Sequence, residues 1–162
     1  MDNKLRGFGG LILVGLIALG GGSYDAYRTY QARGWPTADA EILSSDVERV
    51  FVGRRKGGHA WFPRIRYSYT VEGRTYSGSR VGVAEDSLLV RFKFDSGGYN
   101  HKNATAIANR YPVGAQVAVK YNPEHHEEAV LDANMSATTT YFLVIGGIAL
   151  LVGLIGLALT RR

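Results

Sequence analysis

The side chains best suited to bind a metal lie in one short acidic segment. Glu124-His125-His126-Glu127-Glu128 places two imidazoles beside three carboxylates, and both groups are common zinc ligands. Adjacent histidines point in opposite directions on an extended chain, however, and the segment has neither H-x-H nor H-E-x-x-H spacing. It also follows Asn122-Pro123, where a solvated turn is expected. We therefore predict no metal site and no cofactor.

Nucleophilic catalysis has candidate side chains but no arrangement that would activate them. Ser77, Ser79 and Ser87 could act with His59 or His101, yet no serine lies in the G-x-S-x-G turn that presents a nucleophile. The spacing orders no Ser-His-Asp set, and no pair of carboxylates can be singled out for acid–base work. The sequence predicts no catalytic residue.

Basic residues form the most prominent potential binding surface. Arg54, Arg55 and Lys56 lie in a glycine-flanked loop, and Arg64 and Arg66 follow on one face of a predicted strand. Such cations would attract anionic lipid headgroups or an acidic protein. Aromatic residues interleave with them, as in single-strand nucleic-acid platforms, but a period of 2 puts most of these rings on the opposite face. We expect a protein partner or anionic headgroups, not nucleic acid; a plain solvated face is the alternative.

The distribution of charge also argues against nucleic acid. The formal net charge is +5, but residues 31–137 carry 14 basic and 12 acidic side chains. Much of the excess comes from Lys4, Arg6, Arg161 and Arg162, which flank apolar segments and are of the kind that sets membrane orientation. The chain has no cysteine, which excludes disulfides and thiolate metal sites.

Two uncharged apolar runs bracket the chain. Thr138–Thr160 is long enough to cross a bilayer, for which about 20 helical residues suffice. Phe8–Gly22 is shorter, but its helix can continue through Tyr30, with Tyr24 and Tyr27 also suited to the membrane interface. A cleaved signal peptide is the alternative for this run, although the residues after it offer a poor cleavage site.

Both apolar runs are rich in glycine. Ala18-x-x-x-Gly22 and Ala149-x-x-x-Gly153 would let two helix backbones approach closely. Because the chain makes the two segments neighbours, we predict that they pack directly against each other. The same surfaces would also permit an oligomer, and glycine that is merely tolerated in a membrane helix is the alternative.

Between these runs the hydrophobic period is 2, which predicts β-strands. Alternation from Ala38 to Ser45 predicts a first strand, which Val47–Val52 extends, and further strands are predicted at Val90–Phe94, Ala115–Tyr121 and Ala129–Leu131. Asn103 is expected to cap a short helix over residues 104–110 that buries Ala104, Ile107 and Ala108. A turn with proline at its second position should follow at Tyr111-Pro112-Val113-Gly114.

The clearest element is a hairpin about the two-residue turn Glu72-Gly73, in which glycine supplies a positive φ. Folding about this turn sets Val71 opposite Arg74, Tyr69 opposite Tyr76 and Tyr67 opposite Gly78. A tyrosine pair beside an aromatic ring that covers a glycine is a favourable register. We therefore assign structural roles to Gly73, Tyr69, Tyr76, Gly78, Pro112, Gly114, Asn122 and Pro123.

These residues also carry a resemblance to a known family. The patterns Y-x-Y-x-V-x-G-x-x-Y-x-G from Tyr67 to Gly78, Y-P-x-G-x-x-V-x-V-x-Y-N-P from Tyr111 to Pro123, and Ala129-Val130-Leu131 resemble the family catalogued as domain of unknown function 3592. The resemblance covers roughly residues 31–135. It implies a β domain with flanking membrane segments, and it implies no catalytic residue.

The predicted fold is mainly β: a small antiparallel barrel-like or sandwich-like domain with one short helix, flanked by two transmembrane helices. We divide the chain into a basic cytoplasmic tail (1–7), a first membrane helix with an interfacial extension (8–30), an extracytoplasmic β domain (31–137), a second membrane helix (138–160) and a basic cytoplasmic end (161–162).

The function that fits this organisation is a non-catalytic interaction or accessory module at the bacterial envelope. The alternatives are an immunity-type protein that protects against an envelope-targeted or membrane-targeted toxin, and an envelope hydrolase or metal-dependent enzyme.

Membrane topology is the first testable consequence. Lys4, Arg6, Arg161 and Arg162 lie close to membrane ends, so the positive-inside rule places both termini in the cytoplasm and the β domain in the periplasm of a bacterial inner membrane. An alkaline phosphatase reporter, which is active only after export, should be inactive at the C-terminus and active when inserted into residues 31–137. The reverse pattern would contradict this orientation.

Overall fold

The computed structural model describes residues 2–52, 58–85 and 99–160. Its elements in chain order are helix α1 (Asp2–Arg33), strands β1 (Thr37–Val52), β2 (Gly58–Val71) and β3 (Arg74–Gly78), helix α2 (His101–Ala108), strands β4 (Gln116–Tyr121) and β5 (Ala129–Val130), and helix α3 (Ala137–Thr160). The predicted strand at Val90–Phe94 lies outside the described residues.

The five strands form one antiparallel sheet in the order β3-β2-β1-β4-β5. Beyond the ends of β3 and β5 the two edges of the sheet meet: the Leu131 amide donates to the Arg80 carbonyl at 3.3 Å, and the Asp132 amide donates to the Val81 carbonyl at 2.7 Å. These bonds join the edges as in a barrel, which limits the strand edge left open. The predicted mainly β domain between two long apolar helices is confirmed, and the described part of it contains the predicted short helix.

The predicted hairpin register is also confirmed, with Val71 opposite Arg74, Tyr69 opposite Tyr76 and Tyr67 opposite Gly78. Both turn residues have positive φ, 51° at Glu72 and 78° at Gly73, as a primed two-residue turn requires. The rings of Tyr69 and Tyr76 stack with their centroids 5.8 Å apart. A side chain at Gly78 would collide with the ring of Tyr67, so this position requires glycine.

One face of the sheet forms the core, which is centred on Ile42, Ile65, Tyr67, Tyr69 and Val119. Helix α2 covers part of this face: Ala104 and Ala108 are buried and Ile107 packs against the core, as the helical period predicted. The cap was assigned to the wrong residue, because Asn100 accepts the Asn103 amide at 2.8 Å and the helix starts at His101.

Two further details differ from the sequence prediction. The strict alternation predicted from Ala38 to Ser45 is interrupted at Leu43, where a bulge shifts the register between Ile42 and Ser44. The later turn also begins one residue further on, since the Ala115 amide bonds the Pro112 carbonyl at 3.1 Å. Proline is therefore its first residue, and Gly114, with φ 79°, takes the third position, which favours glycine.

Helices α1 and α3 pack against each other in antiparallel directions, which confirms the predicted pairing. The space at each glycine shows how close the backbones are: a Cβ added at Gly15 would lie 2.8 Å from the Leu150 amide nitrogen, and one added at Gly153 would lie 3.1 Å from the Phe8 carbonyl oxygen. Gly22 likewise faces Leu143. The stretches Arg6–Arg33 and Ala137–Thr160, with mean hydropathies of 1.6 and 2.8, are long and apolar enough to cross a membrane.

Adjacent glycines in α3 provide a test of this packing. A Cβ at Gly146 would lie 3.0 Å from the Ala18 Cβ and 3.1 Å from the Leu19 amide nitrogen, whereas one at Gly147 would meet nothing within 4 Å. Gly146→Ile should therefore destabilise the full-length protein in detergent by about 1–3 kcal/mol through overpacking. Gly147→Ile is the matched control and should change stability by less than about 0.5 kcal/mol. Equal losses in thermal unfolding would contradict the contact.

Candidate functional site

The most prominent surface feature of the β domain is a two-stranded ribbon. Strand β1 pairs with β4 only over Thr37–Glu41, and β2 pairs with β3 only over Tyr67–Val71. The pairing of β1 with β2 nevertheless continues to Val52 and Gly58. We call residues 44–52 and 58–66 the distal ribbon. Among the described residues it extends beyond β3 and β4, and a single bridge between Trp61 and Tyr99 flanks it further along.

The outer face of the distal ribbon carries two of the five predicted binding residues. Arg64 lies opposite Asp46, and its Nε bonds the Glu48 carboxylate at 2.6 Å, with both side chains more than half exposed. Arg66 donates from Nε to the Ser44 hydroxyl at 3.1 Å. The described part of this face therefore has mixed charge. The other three predicted residues, Arg54, Arg55 and Lys56, lie outside the described residues.

The opposite face of the distal ribbon presents aromatic and basic side chains together. Arg49 lies opposite Trp61 in the register, and Phe51 lies opposite His59. The guanidinium carbon of Arg49 is 5.8 Å from the Trp61 ring centroid, and its terminal nitrogen is 3.0 Å from His59 Nδ1. The rings of Phe51 and His59 meet edge to face with centroids 5.6 Å apart. We call these four residues the ribbon platform.

Helix α2 supports the base of the ribbon platform. His101, its first residue, packs edge to face on Trp61 at a centroid distance of 4.5 Å. The Trp61 amide donates to the Tyr99 carbonyl at 3.0 Å, and the Ser45 hydroxyl donates to the carbonyl of Ala108 at 2.9 Å. Trp61 is thereby held in place, while Phe51 remains 63% exposed. Tryptophan and arginine are among the residue types that most often dominate the binding energy of protein interfaces. Trp61 and Arg49 therefore make the ribbon platform a candidate interface.

The period of 2 correctly placed Trp61 on the face opposite the arginines, but it did not identify the ribbon platform as a group. The sequence did contain the signal: Arg49 and Phe51 are two residues apart, as are His59 and Trp61, so each pair lies on one face of its strand. Using it required the register of β1 against β2, and the sequence between them does not specify a two-residue turn that would fix this pairing in advance.

The histidine pair lies in a compact loop that packs on the core. The Asn122 amide donates to the Glu128 carbonyl at 2.8 Å, and its side chain donates to the Glu128 carboxylate at 3.1 Å. The His126 ring makes T-shaped contacts with the rings of Tyr76 and Tyr121, whereas His125 is exposed. The loop thus directs the two imidazoles to different surroundings. Among the described residues, no three His, Asp or Glu side chains are grouped so that they could hold a metal ion.

Tyr69 links this loop to the sheet, because its hydroxyl donates to the His126 carbonyl at 2.5 Å. Burial, together with the nearby Glu127 carboxylate, raises the pKa of Tyr69 to about 12. Burial also raises the pKa of Tyr67. Both hydroxyls are therefore held in the protonated form that donates a hydrogen bond.

Alkaline stability tests the role of Tyr69. Because folding raises its pKa from 10 to about 12, its contribution is intact below pH 10 and is lost as the pH rises toward 12. Tyr69→Phe should lower stability near neutral pH by about 1 kcal/mol, through loss of the bond to His126, and should flatten the decline above pH 10. Thermal unfolding across pH 8–12 measures both effects. Tyr30→Phe, at an exposed position on α1, is the control; an unchanged slope in the Tyr69 variant would contradict the assignment.

Comparison with known proteins identifies the family but names no function. A search of curated proteins found no significant match. A family model described as Domain of unknown function (DUF3592) matches residues 38–136, which is more than half of the chain and includes the whole sheet except Thr37. The chain belongs to the DUF3592 family.

Proposed function

We propose that this chain is a two-pass protein of the bacterial inner membrane whose β domain is a non-catalytic contact module at the cell envelope, with both termini in the cytoplasm. The observation that carries the proposal is the ribbon platform, an aromatic and basic group in the part of β1 and β2 that, among the described residues, extends beyond β3 and β4. The contact module binds an acidic protein.

The membrane location rests on α1 and α3. Their antiparallel packing puts both ends of the chain on one side of the helix pair, which agrees with basic residues at both termini. On α1, Tyr24, Tyr27 and Tyr30 are each more than half exposed. Exposed tyrosines in this position suit the interface between lipid and water, where the ring is buried and the hydroxyl stays hydrated.

The choice of an acidic protein partner follows from chemistry and position. Arg49 and the predicted loop cations Arg54, Arg55 and Lys56 supply positive charge, and Phe51 and Trp61 supply apolar area. Strand β1 is 16 residues long, so its far end lies ~50 Å along the strand from its start beside α1, at about 3.3 Å per residue. Tryptophan and arginine are among the residues that carry most of the binding energy at protein interfaces, which favours a protein partner for this group.

Site-specific crosslinking tests the proposal. A photoreactive residue at position 51 of the full-length protein in native membranes should give a discrete protein adduct. The same residue at position 113 is the matched control, since Val113 is similarly apolar and 65% exposed but lies outside the distal ribbon. Arg49→Gln should reduce the adduct about tenfold or more, as expected for a central interface arginine. The yield should also fall as salt rises.

Several results would contradict the proposal. Equal adducts from positions 51 and 113 would remove the ribbon platform as a specific surface, and adducts with lipid alone would identify headgroups as the partner. Replacement of the exposed His125 by Ala should leave the adduct unchanged, because the histidine loop takes no part in the proposed contact. Loss of the adduct in a folded His125 variant would instead point to the histidine loop.

A further inference from the structure

One face of α1 is turned away from α3 and is exposed. Gly15 and Gly22 mark the side that packs against α3, since a Cβ added at either would collide with that helix. At 3.6 residues per turn, Gly20, Tyr24 and Tyr27 lie on the opposite side. The two tyrosines are 61% and 59% exposed, and a Cβ added at Gly20 would meet nothing within 4 Å. Gly20 therefore leaves a notch in this exposed face, one turn before Tyr24.

Arg28 borders the same face at the end nearer the β domain. Its guanidinium carbon is 6.0 Å from the ring centroid of Tyr24. The side-chain amide of Gln31 donates to the Tyr27 hydroxyl at 2.8 Å. A cation, an amide and two phenol rings therefore lie together, beyond the notch at Gly20. We call Gly20, Tyr24, Tyr27, Arg28 and Gln31 the α1 patch.

The α1 patch carries one cation and no carboxylate. The carboxylate within residues 20–31 is Asp25, which is 2% exposed and lies on the side toward α3. Arg33, the next cation along α1, donates from Nε to the Ala133 carbonyl at 3.4 Å. Arg28 has no hydrogen-bond acceptor among the described residues and lies against a ring instead. Its guanidinium N–H groups can therefore bind an anion from outside the chain.

The register of the helix pair sets the depth of Arg28. Gly22 faces Leu143, and continuing this antiparallel register puts Arg28 level with Ala137, where α3 begins. Arg6 and Arg28 are about six turns apart on α1, or ~33 Å at 1.5 Å per residue. The hydrocarbon core of a bilayer is about 30 Å thick. With Arg6 at the headgroups of one leaflet, Arg28 therefore lies at the headgroups of the other.

We infer that the α1 patch binds one anionic phospholipid of the leaflet next to the β domain. Arg28 donates charge-assisted hydrogen bonds to the phosphate. The hydrogen-bonded pair of Tyr27 and Gln31 lies beside the headgroup, and one acyl chain lies in the notch at Gly20. The inference rests on the proposed membrane location of α1 and α3 and is independent of the ribbon platform.

A second copy of the chain is the other occupant that this face could take. Copies in one membrane share their orientation, so a symmetric contact through the α1 patch would set the two Arg28 side chains at one level. Packed helices have axes ~8–10 Å apart, and like charges at such a separation repel strongly at the edge of a low-dielectric medium. A lipid phosphate at the same place would neutralise Arg28. The charge therefore favours the lipid.

Headgroup selectivity of the full-length protein is the decisive measurement. Native mass spectrometry in detergent, titrated with phosphatidylglycerol or phosphatidylcholine of identical acyl chains, should show about fivefold tighter binding of phosphatidylglycerol, as expected for one arginine at an anionic headgroup. Equal binding would overturn this site alone. A dimer that excludes lipid would identify a second copy as the occupant. Binding of neither lipid would contradict the proposed membrane location as well.

Two matched pairs of variants locate the effect. Arg28→Gln should abolish the preference for phosphatidylglycerol, whereas Arg49→Gln removes the same charge from the ribbon platform and should keep it. Gly20→Leu fills the notch and should weaken binding of both lipids by about fourfold or more, the effect of one buried CH₂ group. Gly147→Leu, at another open position, should leave binding unchanged.

The outcomes of these variants separate the possible failures. Retained selectivity in a folded Arg28 variant would overturn the site. Soluble glycerophosphoglycerol has the headgroup without acyl chains and should not compete; if it displaces the lipid, the ligand is a free phosphodiester and the lipid assignment fails. Arg28→Gln should leave the crosslinking from position 51 unchanged, which distinguishes failure of this site from failure of the ribbon platform.

Discussion

The Tyr67 side chain connects more of the β domain than any other group described. Its ring covers Gly78 across the hairpin, and its hydroxyl lies 3.0 Å from the Arg80 carbonyl and 2.8 Å from the Ala129 carbonyl. Arg80 follows β3 and Ala129 begins β5, so one hydroxyl proton is shared between the two edges of the sheet. Burial raises the pKa of Tyr67 and keeps this donor protonated. This contact lies beside the bonds from Leu131 to Arg80 and from Asp132 to Val81, and so supports the closure of the sheet.

The connection between sheet and helices is equally specific. Lys120 of β4 donates from Nζ to the Arg33 and Trp35 carbonyls at 2.8 and 3.2 Å, and so caps the end of α1 with a cation. Trp35 packs against a second small core that includes Ala32 and Val130. The chain therefore leaves α1 and enters the sheet without a free linker.

The ribbon platform combines Arg49 with aromatic rings and lies where β1 and β2, among the described residues, extend beyond β3 and β4. A cavity of about 330 Å³ lies between β2 and the segment that leads into α3, and Phe62 and Arg64 line it. Trp61 of the ribbon platform precedes Phe62 in β2, so the two surfaces adjoin along one strand.

The sequence by itself determined the elements whose information is local. The apolar runs, the short helix that buries Ala104, and the Glu72-Gly73 hairpin could all be predicted, because hydrophobic period and a two-residue turn depend only on neighbouring residues. The small residues Ala18, Gly22 and Gly153 also pointed to packing of the two helices, although the closest backbone approaches add Gly15 and Gly146.

Only the tertiary structure decided the features that depend on distant pairing. The bulge at Leu43 turns Ser45 toward α2 and leaves Ser44 beside Arg66, which strict alternation could not anticipate. The ion pair of Arg64 with Glu48 joins two strands, and it changes a surface predicted to be basic into one of mixed charge where it is described. The ribbon platform and the cavity likewise bring together residues from separate elements. The register of β1 against β2 and the closure of the sheet edges set these contacts. Neither can be read from the spacing of residues along one strand.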